Sequence, residues 1–363
     1  MPATPPSRSP LGSGRRRVAV LGATGAVGQT FVRLLENHPW FELAEVAASE
    51  RSAGRPYRGS ARWVVSGRMP AEVADKTVLA CDPSVVSSDI VFSALDSSVA
   101  GDAEIAFARA GRIVLSNAKN HRMAPDVPLV IAEVNPGHLR VLEAQRRQRA
   151  WHGGIVTNGN CSAIVTALAL APIHERFGIA EAFVSTMQAV SGAGYPGVPS
   201  LDILGNVIPF IADEEDKLES ELCKFFGTVD GDEIVSSPMT VSAHCNRVAV
   251  ENGHTVCVSV RLRERASAAD VAAALREWRG AETARGLPSS PENPIELADA
   301  ADRPQPRRDV GRGRGMTVTV GRVRPDNLFD VKLVATGDNV VRGAAGASVL
   351  NAELMANCGL LPR

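Results

Sequence analysis

The stretch "RRRVAVLGATGAVGQTFVRLLENHPW" (15–40) limits the fold more than any other part of the chain. Val18 to Leu21 make a short apolar strand, Gly22, Gly25 and Gly28 follow, and Val27, Phe31, Leu34 and Leu35 repeat at helical spacing until Pro39. Strand, glycine turn and amphipathic helix together open a dinucleotide-binding unit. The glycines admit a pyrophosphate close to the backbone, and the helix N-terminus faces its charge. The spacing is GxxGxxG, and on its own it leaves a plain tight turn into a helix as the lesser alternative. Context adds "ELAEVAASE" (42–50), "DIVFSAL" (89–95), "RIVLSN" (112–117) and "PLVIAEV" (128–134), read as buried strands alternating with helices. The expected class is α/β, with a Rossmann-type, doubly wound parallel sheet.

The tip of the second strand distinguishes NAD from NADP: an acidic side chain accepts from a ribose hydroxyl, and an arginine with hydroxyls holds a 2′-phosphate. "ASERSAG" offers Glu50 beside Ser49, Arg51 and Ser52, and the last three form a phosphate cradle that favours NADP.

Behind that opening lie 363 residues, enough for about two domains. The 39 basic and 40 acidic residues are well mixed and no apolar run approaches a membrane span, which argues against nucleic-acid or membrane partners and for a small-molecule one. Cys81, Cys161, Cys223, Cys245, Cys257 and Cys358 lack metal-type spacing and fit free thiols in a reducing cytoplasm; no metal site is expected. The Pro/Ser/Gly-rich residues 1–14 read as a disordered tail.

In the second half, "VTNGNCSAIVTAL" (156–168) places Cys161 at the start of a short, partly buried helix ending at Pro172, with Asn160 as its N-cap. A strand ending at Gln188 and Val190 precedes a glycine loop. "DEEDKLESELCKFF" (213–226) reads as a charged helix whose Glu221 and Lys224, one turn apart, suit a solvated ion pair. "CNRVAVENGHTVCVSVRLRE" (245–264) reads as a hairpin that puts Arg247 and His254 on adjacent strands. A strand pair flanks "RPDN", and Ser267 with Asp270 makes a capping box. This half is expected to be α+β with a mixed sheet, and a final helix stops at Gly359.

A helix N-terminus favours a thiolate, yet free cysteine is commonly a core residue, so position alone leaves both roles open for Cys161. A thiol in the same chain as a nicotinamide-binding half suggests thiohemiacetal and thioester chemistry, for which a histidine is wanted as base.

"GATGAVG", "GNCSA", "MQAVSGAGYPG", "NRVAVENGHT" and "GDNVVRGAAGASVLNAEL", in order from about residue 15 to the C-terminus, resemble aspartate-β-semialdehyde dehydrogenase. "SNAKNHRM" and "ASERSAG" resemble its archaeal and fungal branch. Ala249, where the branch has proline, and Gly205, where it has aspartate, depart from the pattern without removing a reactive group.

The resemblance implies Cys161 as nucleophile, His254 as acid/base and Gln188 as the group orienting substrate or acyl intermediate. It implies Arg247 on the substrate carboxylate, Glu221 on the amino group, and Arg122 and Lys224 on phosphate, with Asn160 beside the developing oxyanion. NADP would lie against Gly22, Thr24, Gly25, Ala26 and Val27, the cradle Ser49, Arg51 and Ser52, the loop Ser191, Gly192 and Gly194, and Asn339. The reaction implied is NADP-dependent reductive dephosphorylation of L-4-aspartyl phosphate to L-aspartate-4-semialdehyde, in the pathway to lysine, threonine and methionine. The partners implied are that substrate and phosphate, within a homodimer or homotetramer. A malonyl-CoA reductase-like acyl-CoA reductase is the enzymatic alternative, and a non-catalytic NADP sensor the other. The expected division is an NADP-binding domain over 15–160 and a catalytic and dimerisation domain over 161–342, with a helix over 343–358 packing back on the first.

Overall fold

Residues 14–362 are described by the structure, a computed structural model. The expected tail lies outside the described residues except for Gly14. Strands β1 (Arg16–Leu21), β2 (Phe41–Ala48), β3 (Leu79–Ala80), β4 (Ile90–Ser93), β5 (Ile113–Ser116) and β6 (Gly154–Thr157) form an all-parallel sheet in the order β3-β2-β1-β4-β5-β6. This is the doubly wound dinucleotide-binding order, and its ligand crevice lies where the connections diverge, beyond the ends of β1 and β4. Gly22 leaves β1 there with φ +70°, and a Cβ on it would stand 2.4 Å from the Ala94 carbonyl oxygen that follows β4. A Cβ on Gly28 would stand 2.2 Å from the Gly22 oxygen, so this glycine lets the Ala26–Leu35 helix press on the turn.

The sixth strand is not "PLVIAEV". Residues 128–134 are buried yet irregular: Asn135 takes the Ile131 amide on its side-chain oxygen at 2.8 Å and donates to the Leu129 carbonyl at 2.9 Å, so only the Leu129 to Thr157 bridge survives. The edge position belongs to β6. Gly153, just before it, and Gly154, its first residue, read as a turn in the sequence but are required by close packing: a Cβ on Gly153 would lie 2.0 Å from the Arg112 oxygen, and one on Gly154 2.5 Å from Leu142.

A two-stranded ribbon and a second large sheet complete the fold. With β7 (Ile179–Gln188), the ribbon strands β8 (Thr228–Asp230) and β9 (Glu233–Val235), β10 (Thr240–Arg247), β11 (His254–Leu262), β12 (Ile295–Ala298), β13 (Val318–Pro325) and β14 (Val331–Gly337), the mixed sheet runs β10-β7-β11-β14-β13-β12. The expected hairpin of residues 245–264 is not formed. Strand β7 lies between β10 and β11, parallel to the first and antiparallel to the second, so the 248–253 connection passes over its end. Local alternation cannot reveal a strand inserted from elsewhere.

The helix after Cys161 is also longer than expected, Cys161–Phe177, with Pro172 inside it and every residue from Ser162 to Ile173 buried. Burial of that whole segment outweighs the roughly 3 kcal/mol cost of an interior proline. The capping box of Ser267 with Asp270 forms as expected. No helix among the described residues is long and apolar enough to cross a membrane.

The Gly346–Asn357 helix belongs to the core of the first sheet, where Val349, Leu350, Leu354 and Met355 join Phe31, Phe41 and Phe92. A π-turn over Val341–Ala345 precedes it, and Arg342 there grips Glu133 through two bonds of 2.7 Å, both side chains 1% exposed. Removing one partner of such a pair strands the other charge, so Arg342→Met is expected to cost about 3–5 kcal/mol. Changing both residues together, Glu133→Leu with Arg342→Met, should recover much of it; urea unfolding of the three proteins checks this, and a fully additive double variant would contradict it.

Candidate active site

Strand β6 ends in the turn that carries the Cys161 thiol. Asn160 caps the following helix, its side-chain oxygen accepting from the Ser162 and Ala163 amides at 2.9 and 3.2 Å. Its side-chain amide donates to Glu214 at 2.7 Å and its own backbone amide to Glu221 at 2.5 Å. Gly159 is required because a Cβ would fall 2.4 Å from the Phe225 ring and 2.8 Å from a Glu221 oxygen. Cys161 is thereby set as the first helical residue, partly covered.

The inserted β7 supplies the remaining geometry. Gln188, its last residue, is in direct register with Arg247, the last of β10, while His254 opens β11 on the other side. The His254 Nε2 lies 3.1 Å from the Cys161 sulfur. Its Nδ1 accepts the Ala189 backbone N–H at 3.1 Å, so a neutral ring carries its proton on Nε2, facing the sulfur. Arg247 donates to the Ala189 carbonyl at 2.9 Å. Gly192 closes over both: a Cβ there would be 2.8 Å from Arg247 Nη1 and 2.9 Å from the His254 ring. Gly343, which no sequence motif marked as part of the site, backs Cys161, since its Cβ would meet the Cys161 Cβ at 2.6 Å.

Glu221 and Lys224 are not the solvated pair that their helical spacing suggested; each is only 2% exposed. Glu221 accepts from Arg122 at 2.8 Å as well as from Asn160. The Lys224 ammonium donates to the carbonyls of Arg122, Ala124 and Val127 at 2.6, 2.7 and 2.8 Å, which uses its three N–H groups on a loop and presents none to a phosphate. Burial lowers its pKa to about 8. Arg122 also donates to the Asn117 carbonyl at 2.6 Å and keeps an unpartnered Nε. Glu214 was missed because the acidic run 213–216 resembles an ordinary solvated helix start. It is 6% exposed and accepts from Gln188 at 2.9 Å in addition to Asn160.

Desolvation holds the Cys161 thiol up at about 12, with Glu214 adding to the rise and Arg122 and Arg247 opposing it. The helix-terminus effect expected from position is outweighed in the free protein. Burial and the Arg247 charge hold His254 down at about 3, so thiol and imidazole are both neutral at pH 7.

Between the two sheets lies a cavity of about 360 Å³, lined among others by Ala26, Thr30, Ser191, Gly194 and Asp338. No side chain caps the Ala26–Leu35 helix, which leaves its first amides open to an anion, and Gly22 and Gly28 allow the tight turn that sets this helix start against the strand ends. These residues fit a dinucleotide. Thr24, Gly25 and Val27 belong to the same turn and helix start. Ser49, Arg51 and Ser52 lie outside the cavity lining, in the turn beyond β2, where Arg51 is exposed. Asn339 ties the cavity walls together, accepting from the Gly253 amide at 2.8 Å and donating to Ser191 at 2.9 Å. Among the described residues no cluster of three or more His, Cys, Asp or Glu could hold a metal ion.

Thiolate is the form that alkylates, and a raised thiol pKa keeps it scarce below that value. Iodoacetamide modification of Cys161 in the free protein should therefore rise about tenfold per pH unit from pH 7 to 9. A rate already level at pH 7 would contradict the raised thiol.

Two family models match the chain: the semialdehyde dehydrogenase NAD binding domain over residues 17–142, and the semialdehyde dehydrogenase dimerisation domain over 170–342. The aspartate-semialdehyde dehydrogenase of Archaeoglobus fulgidus is 50% identical over 341 residues, covering 94% of this chain and 98% of that protein. The protein of that name from Schizosaccharomyces pombe is 45% identical over 356 residues, covering 95% and 99%. The crystal structure of the Candida albicans aspartate semialdehyde dehydrogenase with NADP superposes with a TM-score of 0.88 at 42% identity, covering 96% of this chain and all of that one. The chain belongs to the aspartate-semialdehyde dehydrogenase family.

Proposed function

We propose that the protein reduces L-4-aspartyl phosphate to L-aspartate-4-semialdehyde with NADPH, releasing inorganic phosphate, in the aspartate pathway that leads to lysine, threonine and methionine. The observation that carries this reading is the Cys161 sulfur 3.1 Å from His254 Nε2 at the head of a buried helix, within a family fold that also holds a dinucleotide cleft. Cys161 attacks the acyl carbon: a C–S bond forms, the C–O bond to phosphate breaks and phosphate leaves, giving a thioester. The chemistry that NADPH supplies when bound is a hydride to the thioester carbon. When the C–S bond then breaks, the His254 Nε2–H stabilises the departing thiolate. In the acylation step the thiol proton leaves with the phosphate, and His254 acts as the acid, its Nε2–H directed at the sulfur while Nδ1 accepts from Ala189; the anionic substrate offsets the Arg247 charge that disfavours positive charge on the ring.

Arg247 holds the substrate carboxylate as a bidentate partner, and Gln188, its register neighbour, orients the acyl group. The leaving phosphate meets Arg122, whose Nε is unpartnered, while Lys224 fixes the loop that carries it. Asn160 holds the thiol in place and adjoins the developing oxyanion. In the cofactor site, Gly22, Thr24, Gly25, Ala26 and Val27 receive the pyrophosphate, Ser49, Arg51 and Ser52 the 2′-phosphate, and Ser191, Gly192, Gly194 and Asn339 the nicotinamide end. The chain works as a homodimer or homotetramer through its dimerisation domain, and exposed Leu201, Leu204 and Phe210 beside that sheet suit a subunit contact. Six free thiols suit the cytoplasm.

The purified protein should form NADPH from aspartate semialdehyde, NADP and phosphate. Cys161→Ala should lose at least about a thousandfold in kcat while still binding NADP. Substantial activity in that variant would overturn the mechanism, and preferential reduction of malonyl-CoA would overturn the substrate.

A further inference from the structure

Glu104 is a carboxylate that the proposed chemistry leaves unused, and it is fully buried, at 0% exposure. It sits on the Ser97–Arg109 helix, against the stretch 116–122 that leaves β5 and brings Arg122 to the site. That helix pins the stretch at three points. The Asn120 side-chain amide donates to the Ser97 carbonyl at 2.9 Å, the His121 Nε2–H to the Gly101 carbonyl at 3.2 Å, and the Ser116 hydroxyl to one Glu104 oxygen at 2.8 Å. The same Ser116 oxygen accepts the Ala118 amide at 3.1 Å, so Glu104 fixes the first turn of the loop. Its other oxygen has no hydrogen-bond partner, and the His121 Nε2 stands 3.8 Å from it.

A buried carboxylate with an idle oxygen is costly, and few groups offset its charge. Burial raises the Glu104 pKa, while the Ser93 hydroxyl from β4, the Ser116 hydroxyl from β5 and the Arg122 cation oppose the rise. Burial keeps His121 neutral, and beyond it Arg149 and Asp126 act on that ring in opposite directions. Arg122 is therefore flanked by two carboxylates, Glu221 bonded to it at 2.8 Å and Glu104 acting through space. Resting on the role proposed above for Arg122 in receiving phosphate, we propose that Glu104 is a positioning residue that sets the affinity of that anion site. It holds the loop through Ser116, its charge offsets Arg122 in the free protein, and it takes up a proton from solvent when a phosphate dianion arrives. The anion adds negative charge near a carboxylate that water does not reach, and protonating that carboxylate breaks no bond, since Ser116 donates equally to the carbonyl oxygen of the neutral acid. The Arg122 charge is then left to the phosphate and to Cys161, on which it also acts.

Sulfate, a dianion that does not titrate near neutrality, is the probe, and calorimetry measures its binding to the intact enzyme. Glu104→Gln keeps an acceptor for Ser116 and removes the charge. It should bind sulfate about three- to tenfold more tightly than wild type at pH 8, and the advantage should shrink toward pH 5.5 as Glu104 becomes protonated in the free wild type. A purely structural Glu104 would give equal or weaker binding in the variant. Lys224, with its pKa of about 8, adds a pH dependence that both proteins share. In wild type, heats measured in two buffers of different ionisation enthalpy should show net proton uptake on sulfate binding at pH 6.5, a readout that stands even where the variant folds poorly. Sulfate affinity in Glu104→Gln equal to or below that of wild type at pH 8, or no proton uptake by wild type, would overturn the proposal. Sulfate binding that Arg122→Ala leaves unchanged would instead overturn the phosphate role of Arg122.

Discussion

Asn160 is the joint on which the site depends. One side chain and one peptide N–H close the first turn of a buried helix, hold Glu214 and meet Glu221. That helix leaves the parallel sheet and runs into the core of the mixed one, so fixing its first residue fixes the thiol relative to both. The opposing groups come from β7, β10 and β11, whose ends are held level by sheet register. Strand-borne groups set by register and a helix-borne thiol set by a cap are more rigidly placed than groups on loops.

The charges follow the same economy. Arg122, Glu221 and Lys224 are buried with most of their polar atoms paired among themselves or to backbone amides and carbonyls, which stiffens the floor of the pocket. At the sulfur, burial and then Glu214 disfavour the thiolate, and Arg122 and Arg247 oppose them. The free protein therefore keeps a protonated thiol beside a neutral imidazole. Such a resting state keeps the thiolate scarce and protects the cysteine from adventitious reagents.

Much of this was legible in the sequence because it rests on local chemistry. Gly22 and Gly28 are demanded by close backbone approach, Asn160 by an uncapped helix start, and Ser267 with Asp270 by another. The resemblance to the family brought Cys161, Gln188, Arg247 and His254 together, and the structure places the first and last within hydrogen-bond reach. What escaped reading was set by distant neighbours. The insertion of β7 between β10 and β11 leaves no trace in the alternation of residues 245–264. Burial of Lys224 depends on a loop about a hundred residues earlier, so helical spacing alone suggested a solvated pair. Gly343 looks like one more small residue in a Gly/Ala-rich turn until the Cys161 Cβ is seen against it. Glu214 is hidden in a run of acids, residues 213–216, of which it alone is buried.

The central claim is that Cys161 carries the acyl group between phosphate and cofactor. Intact-protein and peptide mass spectrometry after mixing enzyme with aspartate semialdehyde and NADP, with phosphate withheld, tests it most directly. The account predicts an aspartyl thioester on Cys161 that builds up as NADPH forms and disappears when phosphate is added; NADPH formation with no adduct, or with the acyl group on another residue, would contradict it.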